Sequence, residues 1–227
     1  MARKWGDLMV ERHSGRGPRG LSPERIVDTA VGLLEEGGQE SFSLRGVARA
    51  AGCDAMSVAY HFGSKEGLTR AMASWLDARV RPAAPGEPWR STLLHLAEQY
   101  RALARSYPRT FPLLQRFTHT GSADYATTEV VHAAMAGAGI PRPQVVTVTV
   151  GWFATVLGLA TAEALGMMAP VDSATAAEIE ALPAEDFPLT TALLADYRGI
   201  DPGVVFGTAV DLMHDGIERL AGGARGD

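Results

Sequence analysis

One cysteine, Cys53, is all that the 227 residues contain. That excludes an internal disulfide and suits a reducing compartment. Beside Gly52 it reads as a small buried apolar residue rather than a redox sensor. The first 20 residues contain no apolar run of signal-peptide type, so a cytoplasmic location is expected. No Gly-x-Ser-x-Gly, Gly-x-x-x-x-Gly-Lys-Ser/Thr or His-Glu-x-x-His occurs, and Gly137-Ala138-Gly139 lacks the third glycine of a dinucleotide loop. The chain is therefore read as a non-enzyme. No His, Asp and Glu stand at metal-ligand spacing, so neither a metal nor another cofactor is expected. Strand patterns are equally scarce. Val145-Val146-Thr147-Val148-Thr149-Val150 alone would favour a strand, but no second such run exists to pair with it.

What is present is helical throughout, on a chain whose 46% apolar content is enough for a proper core. Residues 1–20 hold Ser14-Gly15-Arg16-Gly17-Pro18-Arg19-Gly20, which cannot sustain a helix and reads as a flexible basic arm. A helix follows from Pro23, capped by Ser22, to Glu36, ending at Gly37-Gly38. Next comes a pair of short helices. Leu44, Val47, Ala48 and Ala51 share one apolar face, Gly52 suits a left-handed cap, and Asp54 caps the second member, whose apolar face is Val58 and Phe62. Two helices crossing through a short turn with Gly form a helix-turn-helix, whose second helix can enter a DNA major groove. Ser64 then caps a longer helix to about Val80, before a Pro-rich linker reaching Pro88.

The net charge is −5. Residues 1–70 nevertheless hold 10 Lys and Arg against 9 Asp and Glu, and the remainder holds 11 against 17. A basic end on an acidic body is compatible with nucleic acid, because DNA affinity follows local phosphate neutralisation. Residues 144–162 carry no charge over 19 positions, close to a membrane span. Gln144, Thr147, Thr149, Thr155 and Thr161 interrupt them, so a buried helix is expected instead, with no membrane partner. That helix, over 141–168, and a last one from Asp201 to about Ala221 are apolar beyond a single stripe. Such helices are covered on two sides, here by their own domain and by a second copy. Gly151, Ala154, Gly158 and Ala162, with Val205, Ala209, Leu212 and Met213, are the expected dimer seam. Helices over 93–104, 108–118 and 122–138 and a loop with one or two short helices over 169–200 complete the reading.

Residues 21 to about 73 resemble the DNA-binding domain of the TetR family of one-component repressors. The match rests on the first helix, the Phe42-Ser43-Leu44 entry and the run Tyr60-His61-Phe62-Gly63-Ser64-Lys65-Glu66. One departure is Ala59, where the family usually carries a tyrosine that touches the DNA backbone. The resemblance implies an all-α protein. Its flexible basic arm would occupy 1–20, the helix-turn-helix domain 21–72, and a helical ligand-binding and dimerisation bundle 73–227. It implies a homodimer that binds palindromic double-stranded operator DNA and releases it on binding a small-molecule inducer. The rival readings are a helix-turn-helix used for protein contacts and a helical small-molecule enzyme.

In this architecture Ala55, Met56, Ser57, Ala59 and Tyr60 are the exposed positions facing the DNA. That face is poor in hydrogen-bonding groups, and Met56 or Ala55 is suited to a thymine methyl. Arg45 is the best reader of a guanine edge, at a position where the family often carries such an arginine. Tyr60 and Lys65 suit phosphates, Lys65 at a helix N-terminus that already attracts anions. His61 has two readings, an inward packing histidine or, from the resemblance, a phosphate contact. Ser43 is an N-cap whose hydroxyl also reaches phosphate, and Arg16 and Arg19 suit an adjacent minor groove. The region 89–163 resembles, in outline, the C-terminal domain of the tetracycline-repressor branch. The candidate ligand residues there are Tyr100, Phe111, Leu114, Phe117, His119, Tyr125, His132, Trp152 and Phe153.

Overall fold

The computed structural model of the chain describes residues 22–84 and 86–223, and no strand occurs among them. The basic arm, with Arg16 and Arg19, lies outside the described residues. Two compact units divide between Leu68 and Thr69. The first contains α1 (Pro23–Ser41), α2 (Leu44–Ala51), α3 (Ala55–Phe62) and the opening turn of α4 (Lys65–Asp77). Ser22 starts α1 by accepting the Arg25 amide at 3.4 Å, with Pro23 supplying a pre-set φ where no donor is needed. The helix runs on to Ser41 across a break at Gly38 (φ 65°, ψ −167°), further than the Gly37-Gly38 stop expected from the sequence. Ile26, Val27, Ala30, Val31 and Leu34 are buried, as are Phe42, Val47, Ala48 and Val58. These side chains form the core where α2 packs on α1 and α3 on α2.

The second unit holds the rest of α4 and α5 (Trp89–Ser106), α6 (Leu113–Arg116), α7 (Ser122–Ala138) and α8 (Arg142–Ala164). Then come α9 (Ser173–Glu180), α10 (Pro188–Ala192), α11 (Leu194–Arg198) and α12 (Pro202–Gly223). Helices α5, α7, α8 and α12 pack mutually around Leu93, Leu96, Tyr100, Val131, Met135, Trp152, Val156, Phe206 and Val210. The short α9, α10 and α11 pack among themselves. The expected helix at 108–118 is a single turn, α6, preceded by turns in which Thr110 and Phe111 both donate to the Tyr107 carbonyl. Pro112 has no amide to extend them. Helix α8 absorbs the whole valine run but stops at Ala164, because the chain turns at Gly166 (φ 83°). Asp201 starts α12, its Oδ1 accepting the amides of Gly203 at 2.7 Å and Val204 at 3.3 Å.

Helix α8 is long and apolar enough to cross a bilayer, yet only 22% of its most apolar window is buried within the chain. Val146 and Val150 stand exposed on it, together with Gly151, Ala154 and Gly158. On α12, which packs against α8, Val204 and Leu212 are exposed while Val205, Ala209 and Met213 are half-buried. Two neighbouring helices thus carry apolar residues that their own unit leaves uncovered.

Candidate functional site

The α2–α3 pair is fixed by local chemistry at each corner. Ser43 caps α2 by accepting the Gly46 amide at 3.0 Å. Gly52 takes the left-handed conformation (φ 71°, ψ 29°) that ends it. Asp54 Oδ1 then accepts the Ser57 amide at 2.9 Å and starts α3. Val47, Ala48 and Val58 close the angle between the helices. Their burial turns the remaining positions outward.

Arg45, Met56 and Tyr60 are exposed, Ala55, Ser57, Ala59 and His61 half-buried, and Ser43 exposed beside its cap. Arg45 makes no hydrogen bond or ion pair among the described residues, so its guanidinium is available to a partner. His61 lies between the rings of Tyr60 (5.3 Å) and Phe62 (6.2 Å). Lys65 has an anchor that the sequence does not reveal. Its Nζ donates to the Phe42 carbonyl at 2.9 Å and sits 5.1 Å from the Phe42 ring. Gly67 carries a second constraint that the sequence does not reveal. A Cβ there would collide with the Phe62 carbonyl oxygen, so α4 can follow α3 this closely only with glycine. Cys53 is half-buried rather than buried, and burial, then the neighbouring Asp54 carboxylate, push its thiol up, which disfavours the thiolate.

In the second unit, Tyr100, Phe111, Leu114, Phe117 and Trp152 are buried, and Phe153 and His132 half-buried. Ring contacts join Tyr100 to Phe111 (6.5 Å) and to Phe153 (6.2 Å), and Phe153 to Trp152 (5.2 Å). His119 and Tyr125 are exposed and stack on each other at 5.7 Å. None of these nine residues lines the open cavity of about 400 Å³ between α5, α7 and the preceding loop. Its walls include Pro82, Ala83, Trp89, Val130, Ala134 and Gly137. The sequence marks that loop only as a Pro-rich linker.

Two buried polar groups lie near the aromatic cluster and were not foreseen. Thr120 donates from Oγ1 to Asp77 at 2.5 Å and from its amide to Asp124 at 3.1 Å. Burial raises the Asp77 carboxyl to about 6, with the Thr120 hydrogen bond opposing and Asp124 assisting. The Tyr100 phenol is driven well above its ordinary range, first by burial and then by Asp77 and Asp124. Arg70 ties the same segment to α4 by donating to the carbonyls of Thr118 (3.1 Å) and His119 (2.7 Å). His119 is held there in a left-handed conformation (φ 57°). On the other side, His214 accepts the Trp152 indole N–H at 3.4 Å and meets the Trp89 ring at 5.9 Å. Burial, then Arg90, lower its imidazole to about 4, so it is neutral at pH 7. Its Nδ1 has no partner among the described residues. No group of three His, Cys, Asp or Glu among those residues is placed to hold a metal ion.

Residues 26–72 match the model of the tetR family of bacterial regulatory proteins, and residues 81–221 match that of the tetracyclin repressor-like C-terminal domain. An HTH-type transcriptional regulator of Saccharopolyspora erythraea is 27% identical over 146 residues, which span 64% of this chain and 62% of that protein's length. Apo ActR from Streptomyces coelicolor superposes with a TM-score of 0.78 at 18% identity, covering 92% of this chain and all of that one. ActR in complex with actinorhodin gives 0.77 at 19% identity, covering 91% of this chain and all of that one. At these identities the structural likeness establishes a common fold.

Proposed function

The chain belongs to the tetR family of bacterial regulatory proteins, and from that premise we propose that it is a ligand-responsive repressor. It binds a near-palindromic operator as a homodimer and lets go when a small molecule enters its helical domain. The observation that carries this reading is the α2–α3 pair. Buried Val47, Ala48 and Val58 hold it rigid while Arg45, Met56 and Tyr60 stand free toward a major groove. The DNA-binding domain is 21–72, and the ligand and dimer domain 73–227. Ser43, Tyr60 and Lys65 meet phosphates, and Arg45 meets a guanine edge.

The uncovered apolar residues of α8 and α12 support a second copy as their occupant. Thr147, Thr155 and Gln144 among them suit a protein neighbour better than lipid. A protein of the same fold binds actinorhodin, which supports a small-molecule site here. We place the ligand beside the Tyr100–Phe111–Phe153 cluster, with Asp77 and Thr120 at its polar side, a lining suited to a mostly apolar molecule with one or two polar groups once these packed side chains part to admit it. The protein acts in the cytoplasm. Footprinting on the DNA flanking its own coding region tests the reading. A protected near-palindrome is expected, and absence of any protected sequence overturns it.

A further inference from the structure

The outward N-terminal half of α3 carries little hydrogen-bonding chemistry beyond Ser57, and we infer that it selects operators by their thymine 5-methyl groups, met by Met56. The inference rests on the DNA-binding reading above. Met56 is 77% exposed and Tyr60 79%, one turn apart on a helix whose inner side, Val58, is fully buried. Ser57 is the one hydroxyl in the N-terminal half, and both its amide and its Oγ donate to Asp54 Oδ1, at 2.9 and 3.4 Å. Ser57 therefore offers the bases one small hydroxyl, its proton already shared weakly with the helix cap. Ala55 and Ala59 add only methyl groups.

A helix that enters the major groove by its N-terminal half brings Ala55 and Met56 to the base edges first. Among the groove edges only thymine offers an apolar group, while the others present donors or acceptors. Setting a thioether against those polar edges would strip their water and return no hydrogen bond. Against a thymine methyl the same contact buries carbon on carbon, and the unbranched Met side chain has the reach to adapt to it. Arg45, on α2, is left to supply polar discrimination at a different base pair.

Operators are first selected from a pool of random duplexes with the full-length protein. Each thymine of the selected duplex is then replaced singly by deoxyuridine, which removes the methyl and nothing else. One thymine per half-site is expected at which this change weakens binding about three- to fivefold, and about tenfold or more when both half-sites are changed. Met56→Ala is expected to bind the thymine and deoxyuridine duplexes alike at that position, and Met56→Leu to keep the discrimination. Met56 is exposed, so neither variant threatens the fold. Tight wild-type binding with no loss at any deoxyuridine position overturns the methyl reading and leaves DNA binding standing. Discrimination that survives in Met56→Ala also overturns it. A selection that enriches no sequence removes the DNA-binding reading itself.

Discussion

Arg101 on α5 grips Glu163 on α8 with two parallel hydrogen bonds, Nε to Oε2 at 2.6 Å and Nη2 to Oε1 at 3.0 Å. Both side chains are largely buried, and the guanidinium also lies 5.1 Å from the Phe206 ring of α12. The pair therefore pins three helices of the second unit together. Glu163→Ala leaves the guanidinium to the longer, more exposed pair with Glu98 at 3.4 Å and is expected to cost about 3 kcal/mol. Replacing both residues by apolar ones of similar size, Arg101→Met with Glu163→Leu, is expected to restore most of that loss. Denaturant unfolding at fixed protein concentration measures both, and equal losses for the single and double variants would refute it.

Asp77 and His214 pull stability in opposite directions as pH changes. Asp77 has a raised folded pKa of about 6, so its contribution is fully present below about 4 and is lost as pH rises through 6. His214 has a lowered one of about 4, so its contribution is present above about 6.5 and is lost as pH falls through 4. Asp77→Asn keeps an acceptor for Thr120 without the buried charge. Its advantage over wild type is expected to grow from near zero at acid pH to about 2–3 kcal/mol at pH 8. A pH-independent difference in unfolding free energy would contradict this assignment.

Much of this was legible because it is local. Ser22, Asp54 and Asp201 announce their helices by occupying cap positions a few residues from the amides they accept, and Gly52 marks the turn by its need for positive φ. The valine run of α8 is legible as helix because a strand requires a partner run and the sequence holds none. A few bonds decide where the structure departs from the helix pattern: Gly38 lets α1 resume, and Pro112 leaves residues 107–112 as turns. The buried polar pairs were out of reach for a different reason. Asp77 and Thr120 lie 43 positions apart, and Arg101 and Glu163, like Trp152 and His214, lie 62 apart. Helical periodicity says which face is buried but not which distant side chain meets it.

Gly158 is exposed on α8, and a Cβ added there meets nothing within 4 Å in its own chain. Gly158→Arg is therefore expected to leave the monomer folded while placing a charge in the proposed dimer seam, where an unpaired charge costs several kcal/mol. Sedimentation should show a folded monomer. An unchanged dimer would move the interface elsewhere.

Arg45→Ala and Lys65→Ala are expected to separate base reading from phosphate binding. The first should cost about 1–3 kcal/mol on the cognate site and little on a site lacking the guanine, which lowers specificity. The second should weaken all duplexes about equally and reduce the salt slope by roughly 1. Because Lys65 also holds the Phe42 carbonyl, its variant should unfold somewhat earlier too. Titration against single-base operator variants distinguishes the two patterns, and identical patterns would undo the assignment.

The most direct test of sequence-specific DNA binding by a dimer is a competition titration of the footprinted duplex against a scrambled one of equal length, repeated across salt concentrations. Two chains per footprinted duplex are predicted, with a preference of at least about a thousandfold over the scrambled duplex. Affinity for both duplexes should fall linearly on a logarithmic salt scale. Equal affinity for the two duplexes, at any salt, would contradict the account.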